Sequence, residues 1–191
     1  MTSDERRFDH HKMHALLGPD RQARWDPKSF LSRLSLRPGD SVLDLGSGPG
    51  FWALPLANVV GESGTVWALD VSQEMLDELA RHNPPSQVRS ILGELPEIEL
   101  PDASLDWIWA AFVFHEVTPP EKMVSEMRRI LKENGVLAVL DWSPDATGEA
   151  GPPLHHRLSV EQVSKYLRDA GFKSVSMTWR DADTYLIEAK Q

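Results

Sequence analysis

The chain has 191 residues, 41% of them hydrophobic and 26% charged, a balance that fits one folded domain with a real core and excludes a disordered or fibrous polymer. A formal net charge of −9 without any Lys/Arg-rich run argues against a nucleic-acid partner, and Arg128 and Arg129 read as part of a solvated helix face. The absence of cysteine excludes disulfides, thiolate metal sites, a cysteine nucleophile and the methylation of thiophilic arsenic. The first residues lack the apolar stretch of a signal peptide, and no apolar run reaches the ~18 residues that span a bilayer. A cytoplasmic protein without membrane insertion is expected.

Residues 1–35 are expected to form an N-terminal helical cap segment, with helices near 5–17 and 27–35. Residues 36–191 then carry the main domain, the two being parts of one structural domain. From position 41 short apolar runs alternate with helical patterns, the signature of strand-helix-strand units on a parallel sheet. Val42–Leu45 reads as the first strand, Phe51–Val60 as its helix, and Thr65–Leu69 as a second strand ending in Asp70. Ser72 caps a helix through about Arg81, and Val88–Leu92 is a third strand.

Leu105–Phe114 contains a fourth strand, apolar on both faces as a central parallel strand should be. Thr118-Pro119-Pro120-Glu121 predicts a helix with Thr118 as N-cap and Glu121 closing a capping box, with Met123, Val124, Met127, Ile130 and Leu131 as its buried stripe. Asn134-Gly135 should end that helix, and Val136–Leu140 is the fifth strand. Residues 143–153 look like a loop. Ser159 with Gln162 predicts another capping box, ahead of a helix whose stripe is Val160, Val163, Leu167 and Ala170 and whose end is Gly171. Two strands, near 173–179 and 183–189, complete a sheet of about seven. The expected fold is therefore α/β, a doubly wound and mostly parallel sheet.

The chemistry starts in VLDLGSGPG, residues 42–50. Gly46, Gly48 and Gly50 follow a buried strand, so the backbone can turn tightly and approach a ligand where a Cβ would collide. Asp70 lies about twenty residues on, the spacing at which a carboxylate accepts hydrogen bonds from ribose hydroxyls; its alternative is to cap the helix that follows. The pair defines a nucleoside pocket. A dinucleotide fingerprint fits badly because its third small residue would fall on Phe51. Asp44 is unfavourable beside a pyrophosphate and suited to a cationic amino group or sulfonium, which favours S-adenosylmethionine over NAD.

At this point the sequence resembles the class I S-adenosylmethionine-dependent methyltransferases, in particular their small-molecule branch of type 11 and quinone-biosynthesis enzymes. The resemblance covers about residues 36–190 through VLDLGSGPG, WALDVSQEML, GELPEIELPDASLDWI, MRRILKENGVLAVLDW and LSVEQVSKYLRDAGF, in order. It implies S-adenosyl-L-methionine as cofactor and a small-molecule methyl acceptor. It also implies that Asp44, Gly46, Gly48 and Gly50 border the methionine part, that Asp70 meets the ribose, and that Val71 and Met75 flank the adenine. Glu94, where aspartate is more usual, would meet the adenine amino group, the Leu95 backbone amide would lie nearby, and Ala111 would line the methionine end.

Methyl transfer from a sulfonium is an in-line displacement that can proceed by positioning alone, with a base needed when the acceptor is a hydroxyl or an acidic carbon. His115, beside Glu116 after the fourth strand, is the first candidate base; the alternative is a histidine that closes the strand end through the backbone. Asp141, ending the fifth strand next to Trp142, and His156 are the further catalytic candidates. His156-Arg157 after Gly151-Pro152-Pro153 suits either a pocket or loop packing. His10 and His14 share a helix face at metal-ligand spacing, with His11 beside them; a surface or lid role competes with metal binding, and a centre formed by His14, His115 and His156 stays open. The seven tryptophans are expected mostly in the core, with Trp25 and Trp142 near substrate. The fourth strand runs into AAFVFHEV without the Asn/Asp-Pro-Pro-aromatic motif of base and amide methylation. Two competing functions are a non-catalytic S-adenosylmethionine-binding module and an NAD-dependent oxidoreductase.

Overall fold

The computed structural model describes residues 13–147 and 150–191. Its helices are α1 (Met13–Leu16), α2 (Pro19–Arg24), α3 (Pro27–Leu31), α4 (Ala53–Val60), α5 (Gln73–Arg81), α6 (Pro120–Ile130) and α7 (Val160–Asp169). The strands are β1 (Ser41–Leu45), β2 (Thr65–Asp70), β3 (Val88–Leu92), β4 (Leu105–Ala111), β5 (Leu131–Trp142), β6 (Val175–Arg180) and β7 (Thr184–Lys190). They form a seven-stranded sheet in the order β3-β2-β1-β4-β5-β7-β6, parallel except for β7, which runs antiparallel to both β5 and β6. This is the expected mostly parallel sheet. The described residues divide into two compact units, one over residues 13–94 and one over residues 95–191.

In the first unit β1 and β2 pair in register from Ser41↔Thr65 to Leu45↔Leu69, and β2 pairs β3 from Val66↔Val88 to Asp70↔Leu92. Four of the five β1 residues are buried, as a strand covered on both faces requires. α5 starts where Ser72 accepts the amide of Met75 and buries Met75, Leu76 and Leu79, one face at helical spacing. α4 begins at Ala53, two residues after the expected start. The expected helix near 5–17 lies largely outside the described residues, which show α1 alone. α2 was not foreseen: PDRQAR buries none of its residues and so offers no apolar period to read.

In the second unit β4 pairs β5 from Trp107↔Val136 to Ala111↔Leu140. α6 buries Met123, Val124, Met127 and Ile130, the expected stripe, but both its ends differ from expectation. Its N-cap is Pro119 and it makes no side-chain cap bond, so the Thr118/Glu121 capping box does not form. A proline pushes the residue before it out of the helical region, and Pro119, ahead of Pro120, is extended at φ −79°, ψ 143°. The helix stops at Ile130 because Leu131 turns extended at ψ 140° and pairs with Leu105. Asn134, at φ 70°, and Gly135 mark an irregularity inside β5, where its register with β4 shifts between Leu105↔Leu131 and Trp107↔Val136, not the helix end. The Ser159/Gln162 capping box of α7 forms on both sides.

Candidate functional site

The first unit holds the glycine loop. After β1 the chain turns through Gly46 at φ 67°, Gly48 at φ 52° and Gly50 at φ 97°, values that L side chains rarely adopt. Gly50 is also a close approach: a Cβ there would lie 2.5 Å from Leu79 Cδ1 of α5. The Ser47 amide donates to the Leu69 carbonyl at 2.9 Å, fixing the loop to the end of β2. Asp70, 9% exposed, accepts the Gly48 amide at 2.8 Å and the Ser72 amide at 2.9 Å, one on each oxygen. It is therefore a strut of the loop, not the cap of α5, and with the Val71 amide also acting on it its four lone-pair positions are still only partly filled. Burial raises its pKa, with the Ser72 and Gly48 amides working against the rise.

Asp44 is 1% exposed, and neither of its oxygens has a hydrogen-bond partner among the described residues. Burial first, then the Asp70 charge, push its pKa up to about 8, while the nearby Ala53 amide and Arg21 favour the charged form. A buried acid normally finds a donor. Val71 is 43% exposed while Met75 is buried, and Glu94 is exposed just after β3. Phe51 precedes α4 instead of packing the helix on its strand. Its ring meets Trp52 edge-on at 5.0 Å and carries the Arg21 guanidinium 4.9 Å above it. Trp25, also buried, lies under both Arg21 and Arg24.

The second unit holds the catalytic candidates. His115, in a short 3-10 turn Phe114–Glu116 after β4, is buried, and its Nδ1 lies 2.7 Å from Asp141 Oδ1. Asp141, fully buried near the end of β5, also accepts the His115 amide on Oδ2 and the Trp142 amide on Oδ1. The carboxylate thus fixes the Nδ1–H tautomer and leaves Nε2 as the acceptor, with Glu116 Oε1 3.9 Å away from it. Burial opposes the imidazolium, yet the Asp141 charge and hydrogen bond, joined by Glu116, raise the His115 pKa above the ordinary value, Arg157 offsetting part of it.

Around this pair the backbone is strained. Phe112 has φ 63°, an outlier for a bulky residue that costs of order 1–3 kcal/mol. Its amide donates to the Leu140 carbonyl at 2.7 Å, and its ring packs 5.3 Å from Trp142. Arg157 is buried and donates to the carbonyls of Pro152, Ser143 and Ala150, its guanidinium 5.4 Å from the Trp142 ring. Gly151, at φ 91°, lies so close to that ring that a Cβ would meet it at 2.6 Å. The Gly-Pro-Pro and His-Arg motifs therefore build the loop that holds Trp142. Ala111 is buried at the end of β4, and Leu95 is half-buried.

The structure brings His115 and Asp141 together and places His156 in another element, the 3-10 turn Leu154–His156, where it is buried edge-on to His155 at 4.3 Å. His10, His11 and the side chain of His14 lie outside the described residues. Among the described residues no three His, Asp or Glu side chains form a metal-binding group, and no helix is long and apolar enough to cross a membrane. Sequence reasoning missed Arg21 and Phe112, while the loop-packing reading of Arg157 matches its bonds to three carbonyls; no period or motif marks a helix cation over a ring or a positive-φ phenylalanine.

Residues 43–139 match a family described as methyltransferase domain, type 11. A solved S-adenosylmethionine-dependent methyltransferase from Aquifex aeolicus is 33% identical, with a TM-score of 0.88 over 96% of this chain and 99% of that one. A ubiquinone/menaquinone biosynthesis C-methyltransferase from Azotobacter vinelandii is 34% identical over 154 residues, 73% of this chain and 61% of that protein. A demethylmenaquinone methyltransferase from Lysinibacillus sphaericus is 30% identical over 69% of this chain and 56% of that protein. The chain thus spans little more than half the length of these curated relatives. The [4+2]-cyclase SpnF, 20% identical with a TM-score of 0.71 over 86% of this chain and 79% of that one, shares the fold alone.

Proposed function

The chain belongs to the type 11 branch of the class I S-adenosylmethionine-dependent methyltransferases, and on that premise we propose that it methylates a small or medium-sized organic acceptor whose proton passes to His115. The observation that carries this is the buried His115–Asp141 pair, a base with one nitrogen anchored and the other left to accept. When bound, S-adenosylmethionine supplies an electrophilic methyl on a sulfonium. The first unit fits that group: a buried acid lacking a donor suits its cationic end, and a glycine loop tied to Asp70 suits a ribose.

Asp44 with Gly46, Gly48 and Gly50 borders the methionine part. Asp70 takes the ribose hydroxyls on its remaining lone pairs, exposed Val71 and buried Met75 flank the adenine, and Glu94 accepts from the adenine amino group with the Leu95 amide nearby. Asp141 orients His115 and stabilises its imidazolium, while Trp142, held by Gly151 and Arg157, presents a flat apolar face to the acceptor, with His156 as a further polar contact. Two relatives bear names of quinone biosynthesis, one of them as a C-methyltransferase. A carbon nucleophile must shed a proton, which is the step that uses a base, so an acceptor carbon or hydroxyl on a ring of that kind fits the pair best.

Two measurements test this. Calorimetry is expected to show binding of S-adenosylhomocysteine and none of NAD; no binding of either refutes the donor assignment. Incubation with radiolabelled methyl donor and cell extract is expected to label the small-molecule fraction. Label in RNA or protein alone overturns the acceptor class, and donor binding with no labelled product favours a non-catalytic module.

A further inference from the structure

β4 and β5 run in parallel register as far as Ala111↔Leu140, and the Phe112 amide adds one more bond, to the Leu140 carbonyl at 2.7 Å. Continued in that register, His115 would stand opposite Pro144, ~10 Å beyond Asp141 along the strand. It lies instead against Asp141, with its amide 3.2 Å from Oδ2 and its Nδ1 2.7 Å from Oδ1. The chain therefore folds back between Ala111 and His115. Resting on the assignment of His115 as the base, we infer that Phe112 is the positioning residue of the pair: its ring, packed on Trp142, holds a left-handed turn that brings His115 onto Asp141.

Among residues 111–116 only Phe112 has a positive φ, 63°. Val113 follows at φ −120°, and Phe114–Glu116 form the 3-10 turn, closed by the Glu116 amide on the Val113 carbonyl at 2.9 Å. The reversal thus sits at position 112, where glycine or asparagine would pass with little strain and a bulky side chain does not. Such an outlier persists only where its surroundings over-determine it. Here the surroundings include the Trp142 ring, 5.3 Å from that of Phe112, both side chains being buried. Trp142 is fixed in turn, since its amide donates to Asp141 Oδ1 at 2.8 Å while Gly151 and the Arg157 guanidinium pack on its ring. One carboxylate therefore receives the His115 ring, the His115 amide and the amide of the tryptophan that braces the turn. A glycine at this position would reach the same φ but many others as well. The packed ring leaves the imidazole a single place, which is what a base within hydrogen-bond reach of its acceptor needs.

The test sets Phe112→Gly against Phe112→Ala in the full chain, read by the NMR signal of the His115 Nδ1–H and by kcat. Both variants delete the ring, but only glycine enters the left-handed region freely. Phe112→Ala is expected to lose the downfield, exchange-protected Nδ1–H signal and to lower the His115 pKa that Asp141 raises. Its kcat should fall by about 10²-fold, the scale of a misplaced catalytic group. Phe112→Gly should keep the signal in part and a kcat several-fold above that of Phe112→Ala. An equal loss in the two, or a greater one in Phe112→Gly, would make Phe112 a core-packing residue, and an unmoved signal in both would show that His115 reaches Asp141 without the turn; either overturns the proposal. Should Phe112→Ala fail to fold, Phe112→Leu replaces it, keeping apolar bulk while disfavouring the left-handed region as alanine does. Its signal is expected below that of Phe112→Gly, and a signal at or above it overturns the proposal too. Failure of the base assignment looks different: an unchanged kcat in His115→Ala would remove the base, and with it the catalytic purpose of the turn, whatever the Nδ1–H signal shows.

Discussion

The two units carry opposite kinds of buried acid. In residues 13–94 Asp44 is buried with no hydrogen-bond partner on either oxygen among the described residues, whereas in residues 95–191 Asp141 is buried with three N–H groups already on it. The first is left without a partner by the described residues, which is why the proposed function gives it the donor's ammonium. The second is complete before any ligand arrives, so its task is to hold His115 in one tautomer and orientation. On the proposed function, binding free energy is concentrated in the first acid and positional precision in the second.

The largest expected effect breaks the comparison on the second side. His115→Ala is expected to lower kcat by roughly 10²- to 10⁴-fold, the usual contribution of a positioned base, with the Kd of S-adenosylhomocysteine unchanged by calorimetry. An unchanged kcat would leave positioning as the whole mechanism. The base must be neutral, and its pKa is raised by Asp141, so kcat should climb with pH along a limb above the ordinary histidine value of about 6.5. Asp141→Asn removes the charge that lifts it, so the limb should move to lower pH while kcat falls.

Asp44→Asn probes the other side and should separate binding from stability. It is expected to weaken S-adenosylhomocysteine about 10- to 100-fold by removing a charged partner. It should also raise the Tm of the unliganded protein at pH 7, by roughly 3–8 °C if about 1–2 kcal/mol is recovered. The sign follows from the folded-state pKa of about 8 against an ordinary value near 4 for a carboxyl in the unfolded chain. The folded state holds a proton that the unfolded state releases, so stability is lost as pH rises through that window. A lower Tm in the variant would show that Asp44 is satisfied within the chain, and the contrast between the two acids would disappear.

A smaller effect belongs to the loop of the second unit. Gly151→Ala forces a Cβ to within 2.6 Å of the Trp142 ring at a φ of 91°, and overpacking of this sort costs about 1–3 kcal/mol. A lowered Tm and a raised KM for the acceptor, with the donor Kd unmoved, would place Trp142 on the acceptor side alone; a weakened donor Kd would refute that division.

Legibility followed the same split. The donor loop could be read because its chemistry is local: three glycines, Asp44 and Asp70 lie in one strand-turn-helix-strand run, and backbone demands fix their spacing. His115 and Asp141 were each visible at a strand end, but their pairing was not, since 26 residues separate them and only the register Ala111↔Leu140 brings their strand ends together. The capping box of α7 was read correctly, while that of α6 failed because a second proline moved the helix start. Arg21 had no signal: a cation in a six-residue helix with no buried residue looks like any solvated arginine until the rings beneath it are seen.

The finest test of the contrast is a pH series on donor affinity. On the proposed function the α-ammonium needs an ionised Asp44, and burial with the Asp70 charge raises that group's pKa to about 8, so below this pH each binding event is expected to expel one proton. The Kd for S-adenosylhomocysteine should then fall by about tenfold per unit between pH 6 and 8 and level off above, as one-proton linkage requires. Calorimetry in buffers of different ionisation enthalpy should report about one proton released per ligand below the break. In Asp44→Asn both the slope and the proton release should vanish, because no titrating acid is left beside the ammonium, and in Asp141→Asn both should persist. A wild-type affinity that is flat with pH would mean that Asp44 is already ionised in the unliganded state, held so by a group such as Arg21, and would move the source of binding energy from the acid to its neighbour.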